Sequence, residues 1–439
     1  VSHAGPDDDR RPGITAPGAR RCRSRRGAPH RIVTGMTAAL IPLPSPAANA
    51  GEVFPLGLTP GPIGHRFTVL DSLRGISALM VCLFHFTTNG PIADMPLVQG
   101  SWLFVDFFFV LSGFVIAANY RQKLMAGGFL RGFVVLRFGR VYPLHLAMLL
   151  VFVAMEAAAA LFGVSGAGKR ALFEGHHSVA AIFTNATLLQ SFGLHDGLTW
   201  NKPAWSVAVE FWTYLLFAQL VRTVGTSLEK WLAVIVIGCI ATLLVATPHG
   251  LNVTYSLGIV RCMYGFAVGA LAWWAWQAAD HVPFRAYRFA SIIEIGAVAA
   301  VVAFVSLGAE GPANLLAPAL FAGAILVFAR AGGRVSQWLL APPLRHLGLL
   351  SFSIYMVHTF AQARFADVLR VIERLTRIDL VGSETTATGK VVAVIGVTPL
   401  QSVVLTLVMV AFVIAVSQLT WRWIEVPGQK WARRRAASA

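Results

Sequence analysis

Ten apolar runs, each about as long as a bilayer is thick, constrain this chain more than any other feature of its sequence. They occupy residues 68–88, 101–119, 133–162, 205–221, 231–247, 254–278, 290–308, 313–329, 347–366 and 397–421. About 17 to 25 helical residues cross the hydrocarbon core, and backbone in lipid must satisfy its own hydrogen bonds. Runs of this length therefore span as helices, the third with enough excess to tilt or protrude. The expected fold is all-α, a polytopic membrane protein with about ten transmembrane helices. The apolar stretch 179–192 is too short to cross and reads as an interfacial or re-entrant piece.

Only 13% of the residues are charged, against roughly 25% in a soluble domain, and 56% are hydrophobic. The net charge of +16 does not point to nucleic acid, because most Lys and Arg sit in short loops between the apolar runs. Fifteen of these cations fall in loops on the side of the N-terminus; seven fall on the other side, all in its two long loops. Short loops set orientation, so both termini are expected in the cytoplasm and the protein in the inner (plasma) membrane.

Residues 1–65 are rich in Pro, Gly and Arg, with eight Arg against three Asp before Met36, and are expected to be a disordered basic segment. The apolar stretch near Ile32–Ile41 is broken by Pro42, Pro44 and Pro46, which argues against a signal peptide, and Met36 is a candidate for the true start. The transmembrane domain is expected over 66–428, with a basic cytoplasmic tail at 429–439. Cys22, Cys82, Cys239 and Cys262 form no CxxC or Cys/His cluster, so neither a disulfide framework nor a structural metal is expected.

Ionisable groups at membrane depth are expensive and need a reason to be there. Arg74 and His85 share the first run, eleven residues apart. On a helix that is three turns plus about 20°, so both project from one face with ~16 Å of rise between them. One face then carries a cation at one depth and a proton acceptor at another. For either residue alone, anchoring at a headgroup layer is an equal alternative. Asp106, five residues into the second run, reaches a depth similar to His85. A carboxylate beside an imidazole fixes its tautomer and raises its basicity; capping a helix end is the alternative.

Arg137 and Arg140 open the third run on adjacent turns, a spacing suited to gripping phosphate and equally to anchoring at headgroups. Glu210 lies two turns into the fourth run, where a carboxylate needs a partner or a wet cavity, while Trp205 and Trp212 fit an interfacial belt. Arg261 and Glu294 are further charges that either pair with one another or face one cavity. Ser353, Tyr355 and His358 gather in the ninth run, where His358 either binds substrate or satisfies its neighbours. His176, His177 and His195, in the loop before the fourth run, read as solvated residues and not as metal ligands.

Six patterns follow one another in a fixed order. They are LRGISALMVCLFH at 73–85, Asp106 with several Phe before Ser112-Gly113-Phe114, RFGRVYP at 137–143, Trp205-Ser206 followed by Glu210, the Ser353, Tyr355 and His358 group, and Glu425 with Pro427. Together, over about residues 66–428, they resemble the acyltransferase-3 family of integral membrane O-acyltransferases. The resemblance implies transfer of an acyl group, commonly acetyl, from cytoplasmic acyl-CoA to a hydroxyl of a cell-surface glycan or other carbohydrate-containing acceptor, without a metal. In that reading His85, Asp106 and Glu210 are catalytic, His85 as general base oriented by Asp106. Arg74, Arg137 and Arg140 hold the donor, and Tyr355 and His358 bind substrate. Ser112 reads as a small packing residue and not as a nucleophile. The chain resembles members that stand alone, without a soluble domain after the last span. A proton- or ion-coupled transporter is the alternative from another class, since buried His, Asp, Glu and Arg also build relays, although no internal repeat is apparent.

Overall fold

The computed structural model describes residues 67–163, 171–280, 289–307, 311–385 and 391–438. The expectations for the N-terminal segment, Met36 and Cys22 lie outside these residues, as do Lys169, Arg170, Arg285, Arg288 and Lys390 among the loop cations.

Every apolar run contains a helix. In chain order they are α1 (Thr68–Phe84), the short α2 (Pro96–Gln99), α3 (Phe104–Met125), α4 (Leu130–Leu161), the short α5 (Val179–Ala186), α6 (Ala204–Val224), α7 (Leu228–Ala246), α8 (Gly258–Asp280) and α9 (Ala290–Leu307). After them come α10 (Ala317–Phe328), α11 (Arg334–Leu339), α12 (Pro342–Thr376), the strands β1 (Val381–Thr385) and β2 (Val391–Ile395), α13 (Pro399–Thr420) and α14 (Val426–Ala437). Among the described residues six helical segments are long and apolar enough to cross a membrane, one of them running through α6 and α7 together. The architecture is all-α and multi-pass. The stretch near 179–192 forms only the eight residues of α5, and the basic residues after 428 continue as helix in α14.

Two close helix contacts set the frame. A Cβ on Gly75 of α1 would come within 2.6 Å of the Leu347–Gly348 backbone of α12, and one on Gly348 would meet the carbonyl of Asp71. Small residues on both faces let these backbones touch, as membrane helices commonly do. Gly113 of α3 and Gly269 of α8 do the same, each lying against the other helix's backbone at Phe266 and Val110.

The long loop after α12 holds a feature that the apolar runs do not announce. β1 and β2 pair antiparallel, with Val381 opposite Ile395 and Gly382 opposite Val394. The segment after α1 is tied to this hairpin: Thr88 Oγ1 donates to the Ile395 carbonyl at 2.7 Å and Ile395 N–H to the Thr87 carbonyl at 3.0 Å. α1 ends at Phe84 with His85 as its C-cap, two residues before the bonds that Thr87 and Thr88 make to β2.

Candidate functional site

Arg74, Arg137, Arg140 and Glu210 line one chamber, and His85 and Arg261 line a second that shares a wall with it. The first, about 130 Å³, is lined by Arg74, Arg137 and Arg140 with Ser112, Glu210 and Tyr214. The second, about 520 Å³, is lined by His85, Lys202 and Arg261 with Trp102 and Trp205. Val105 and Tyr355 line both. The Tyr355 hydroxyl lies 2.7 Å from Ser206 Oγ, so α12 and α6 are joined at the wall.

Each arginine of the first chamber is fixed by partners that leave it facing the cavity. Arg74 Nε donates to Ser351 Oγ at 2.8 Å and Nη2 to the Gly348 carbonyl at 3.1 Å, with Asp71 at 3.3 Å. These bonds require the close α1–α12 approach at Gly75 and Gly348. Arg137 Nη2 donates to the Tyr120 hydroxyl at 2.8 Å, and its guanidinium lies 4.9 Å from the Tyr120 ring and 5.9 Å from the Tyr214 ring. Arg140 forms an ion pair with Glu425, a residue just beyond α13. The expected convergence of Arg74 with the Arg137–Arg140 pair is present, across helices far apart in sequence.

Glu210 stands with these arginines and not beside His85. Ser112 Oγ and the Tyr214 hydroxyl both donate to Glu210 Oε1, the latter at 2.6 Å. Tyr214 is one turn on from Glu210 along α6, a spacing visible in the sequence. Ser112, read from the sequence as a packing residue, therefore also contributes a hydrogen bond.

The expected pairing of Asp106 with His85 is not formed. Both Asp106 oxygens accept from Arg261, from Nε at 2.9 Å and Nη2 at 2.6 Å. The pair is almost wholly buried, with side chains 0% and 2% exposed. Arg261 is further sandwiched by Trp102 at 5.1 Å and Trp205 at 5.3 Å. A dry guanidinium takes the nearest carboxylate in bidentate geometry, and this one claims Asp106 completely. Trp205 is thus a core residue and not a belt residue. Nor does Arg261 pair with Glu294, which accepts from the Gly333 and Ser336 backbone and the Ser336 hydroxyl.

The neighbour of His85 is another histidine. His358, fully buried, donates from Nδ1 to the Tyr355 carbonyl at 2.7 Å. Its Nε2 is then a bare acceptor, 3.3 Å from Nδ1 of His85. His85 Nδ1 is also 2.9 Å from the Val81 carbonyl, which can only accept. Both partners demand a proton on Nδ1, and a neutral imidazole with its proton there carries a free lone pair on Nε2. In the loop before α6, His176 and His177 each lie near a carboxylate, Asp196 at 3.5 Å and Glu156 at 3.4 Å.

With this geometry in place, similarity to known proteins gives the chemistry its class. Residues 67–422 match the acyltransferase-3 family model, described as an acyltransferase domain. Over 163 residues, 35% of this chain and 82% of the relative, the sequence is 31% identical to protein 2 in the picA locus of Rhizobium radiobacter. Over 181 residues, 38% of this chain, it is 29% identical to the acyltransferase MdmB of Streptomyces mycarofaciens, and there the match takes in 43% of the relative, less than half its length. No solved structure matches. The chain carries an acyltransferase domain over most of its length and belongs to the acyltransferase-3 family.

Proposed function

We propose that the protein is an O-acyltransferase of the inner membrane, moving an acetyl or other short acyl group from cytoplasmic acyl-CoA to a hydroxyl of an extracytoplasmic, carbohydrate-containing acceptor. The observation that carries this reading is the pair of chambers meeting at Val105 and Tyr355, one rich in arginine and the other holding an available imidazole. The cation-poor short loops argue for both termini in the cytoplasm, which turns the arginine chamber toward the cytoplasm and the histidine chamber outward.

In this account Arg74, Arg137 and Arg140 receive the donor's phosphates, for which guanidinium forks are well shaped. The chamber's 130 Å³ is small beside the roughly 300–1,000 Å³ of a typical ligand pocket, so it takes the end of the donor while the nucleotide rests at its mouth. Glu210 serves on the donor side, where its carboxylate and the Ser112 and Tyr214 hydroxyls bonded to it line the path of the thioester. The pantetheine arm carries the thioester past the wall once the Tyr355–Ser206 hydrogen bond opens.

His85 Nε2 then takes the proton from the acceptor hydroxyl as that oxygen attacks the thioester carbonyl carbon. The C–S bond breaks, the acceptor keeps the acyl group as an ester, and the proton on His85 passes to the departing thiolate. His358 and the Val81 carbonyl together fix the His85 tautomer, the task expected of Asp106, while Asp106 and Arg261 brace the chamber wall. A ligand-dependent melting shift tests the donor assignment. Acetyl-CoA at micromolar concentration raises the melting temperature of the wild type, because binding only to the folded state stabilises it. The same addition to Arg137→Ala/Arg140→Ala gives a much smaller shift, and equal shifts in both proteins would refute the assignment.

A further inference from the structure

Glu425 lies three residues past the end of the matched acyltransferase domain, yet it is the partner of one of the chamber's arginines. Its side chain is fully buried, while that of Arg140 is 26% exposed toward the cavity. Three helices donate to this one carboxylate. Arg140 of α4 and Gln429 of α14, the latter at 3.0 Å, bond Oε1, and Ser353 of α12 bonds Oε2 at 2.9 Å. The backbone around Glu425 is locally wound as a π-helix, Trp421–Glu425, between α13 and α14. Such single wide turns are uncommon and recur at functional sites.

Close packing keeps the carboxylate where it is. Gly139 of α4 lies against Ala432, and a Cβ on Gly428 would come within 2.7 Å of the Pro143 ring. α14 is thereby seated on α4 one turn from Arg140. Ser353 lies two residues beyond Ser351, the partner of Arg74, so one stretch of α12 steadies two of the three arginines.

We propose that Glu425 is the positioning residue for Arg140, so that the C-terminal turn and α14 determine donor affinity without touching the donor. The inference rests on the reading of the arginine chamber as the donor site. With Glu425 in place the guanidinium is held in one orientation, and its remaining donors are aimed into the cavity. Without it, Arg140 keeps its charge but loses its direction.

The test is calorimetric titration of the purified full-length protein with coenzyme A, across a double-mutant cycle. Glu425→Gln keeps an acceptor oxygen for Arg140 and removes the charge, which spares the fold better than truncation. It is expected to weaken coenzyme A about tenfold, and Arg140→Ala at least as much. If Glu425 acts through Arg140, adding Glu425→Gln to Arg140→Ala weakens binding no further. Multiplying losses, or unchanged affinity in Glu425→Gln, would overturn the inference. Should that variant not fold, Ser353→Ala with Gln429→Ala frees the carboxylate to swing and is expected to cost about threefold, an unchanged affinity again overturning the proposal. Arg140→Ala alone reports on the donor reading: if it binds coenzyme A normally, that reading falls, whereas a loss there with none in Glu425→Gln defeats only the positioning role.

Discussion

Nε2 of His358 faces Nδ1 of His85 at 3.3 Å, and the carbonyls of Tyr355 and Val81, each bonded to the Nδ1 of one ring, determine which nitrogen carries the proton. α12 and the end of α1 thereby present a single basic nitrogen to the larger chamber. His358 is expected to act through this orientation. One hydrogen bond is worth roughly 1 kcal/mol net, so His358→Ala should lower the rate of transfer about five- to tenfold. Coenzyme A affinity should not change. Steady-state transfer and calorimetry on the same preparation separate the two quantities.

Asp106 and Arg261 should behave as a structural pair. Removing one partner of a dry ion pair strands the other, and Asp106→Ala is expected to destabilise the protein by about 3 to 5 kcal/mol. Replacing both, as Asp106→Leu with Arg261→Met, should recover most of that loss, since apolar residues of similar volume often substitute well. Denaturant unfolding of the single and double variants in detergent provides the comparison.

The contact of Gly75 with Gly348 should matter to Arg74 as well as to packing. A Cβ at residue 75 would meet backbone, which cannot give way as a flexible side chain does. Gly75→Val is expected to cost about 1 to 3 kcal/mol in stability. It should also weaken coenzyme A, because the Ser351 and Gly348 partners of Arg74 move away. Melting temperature and titration report the two effects.

In the proposed reading, Tyr355, which lines both chambers, separates donor from water as well as from acceptor. Tyr355→Ala should join the chambers and let water reach the thioester. Acyl-CoA hydrolysis in the absence of acceptor is expected to rise several-fold while transfer falls. A thiol-release assay run with and without acceptor distinguishes these outcomes.

How much of this was legible in the sequence follows from the range of each interaction. The ten helices were, because apolarity and length are local properties of a run. The arginine chamber was partly legible: Arg137 and Arg140 declare themselves by a spacing of three, and Arg74 by its expense at membrane depth. The pairings were not. Asp106 and Arg261 are 155 residues apart, and His85 and His358 are 273 apart, so no periodicity shows that their helices touch. Depth alone placed Asp106 beside His85, and a buried guanidinium from α8 outcompeted the imidazole for it. Of the partners of Glu210, Tyr214 lies one turn along α6 within reach of a local reading, whereas Ser112 lies across on α3. The hairpin at 381–395 stayed hidden in a long loop whose short apolar pieces cannot reveal their partner. Glu425 had a signal, a carboxylate closing an apolar run, but nothing local identifies Arg140, 285 residues away, as its partner.

The central claim is that His85 is the general base of acyl transfer. Mass spectrometry of O-acylated envelope glycans, in cells carrying His85→Ala in place of the wild type, tests it most directly. Such acid–base help is worth about 10² to 10⁴ in rate, so the acylated species should fall to the level of cells lacking the protein while coenzyme A binding persists. Wild-type acylation in those cells would contradict the account.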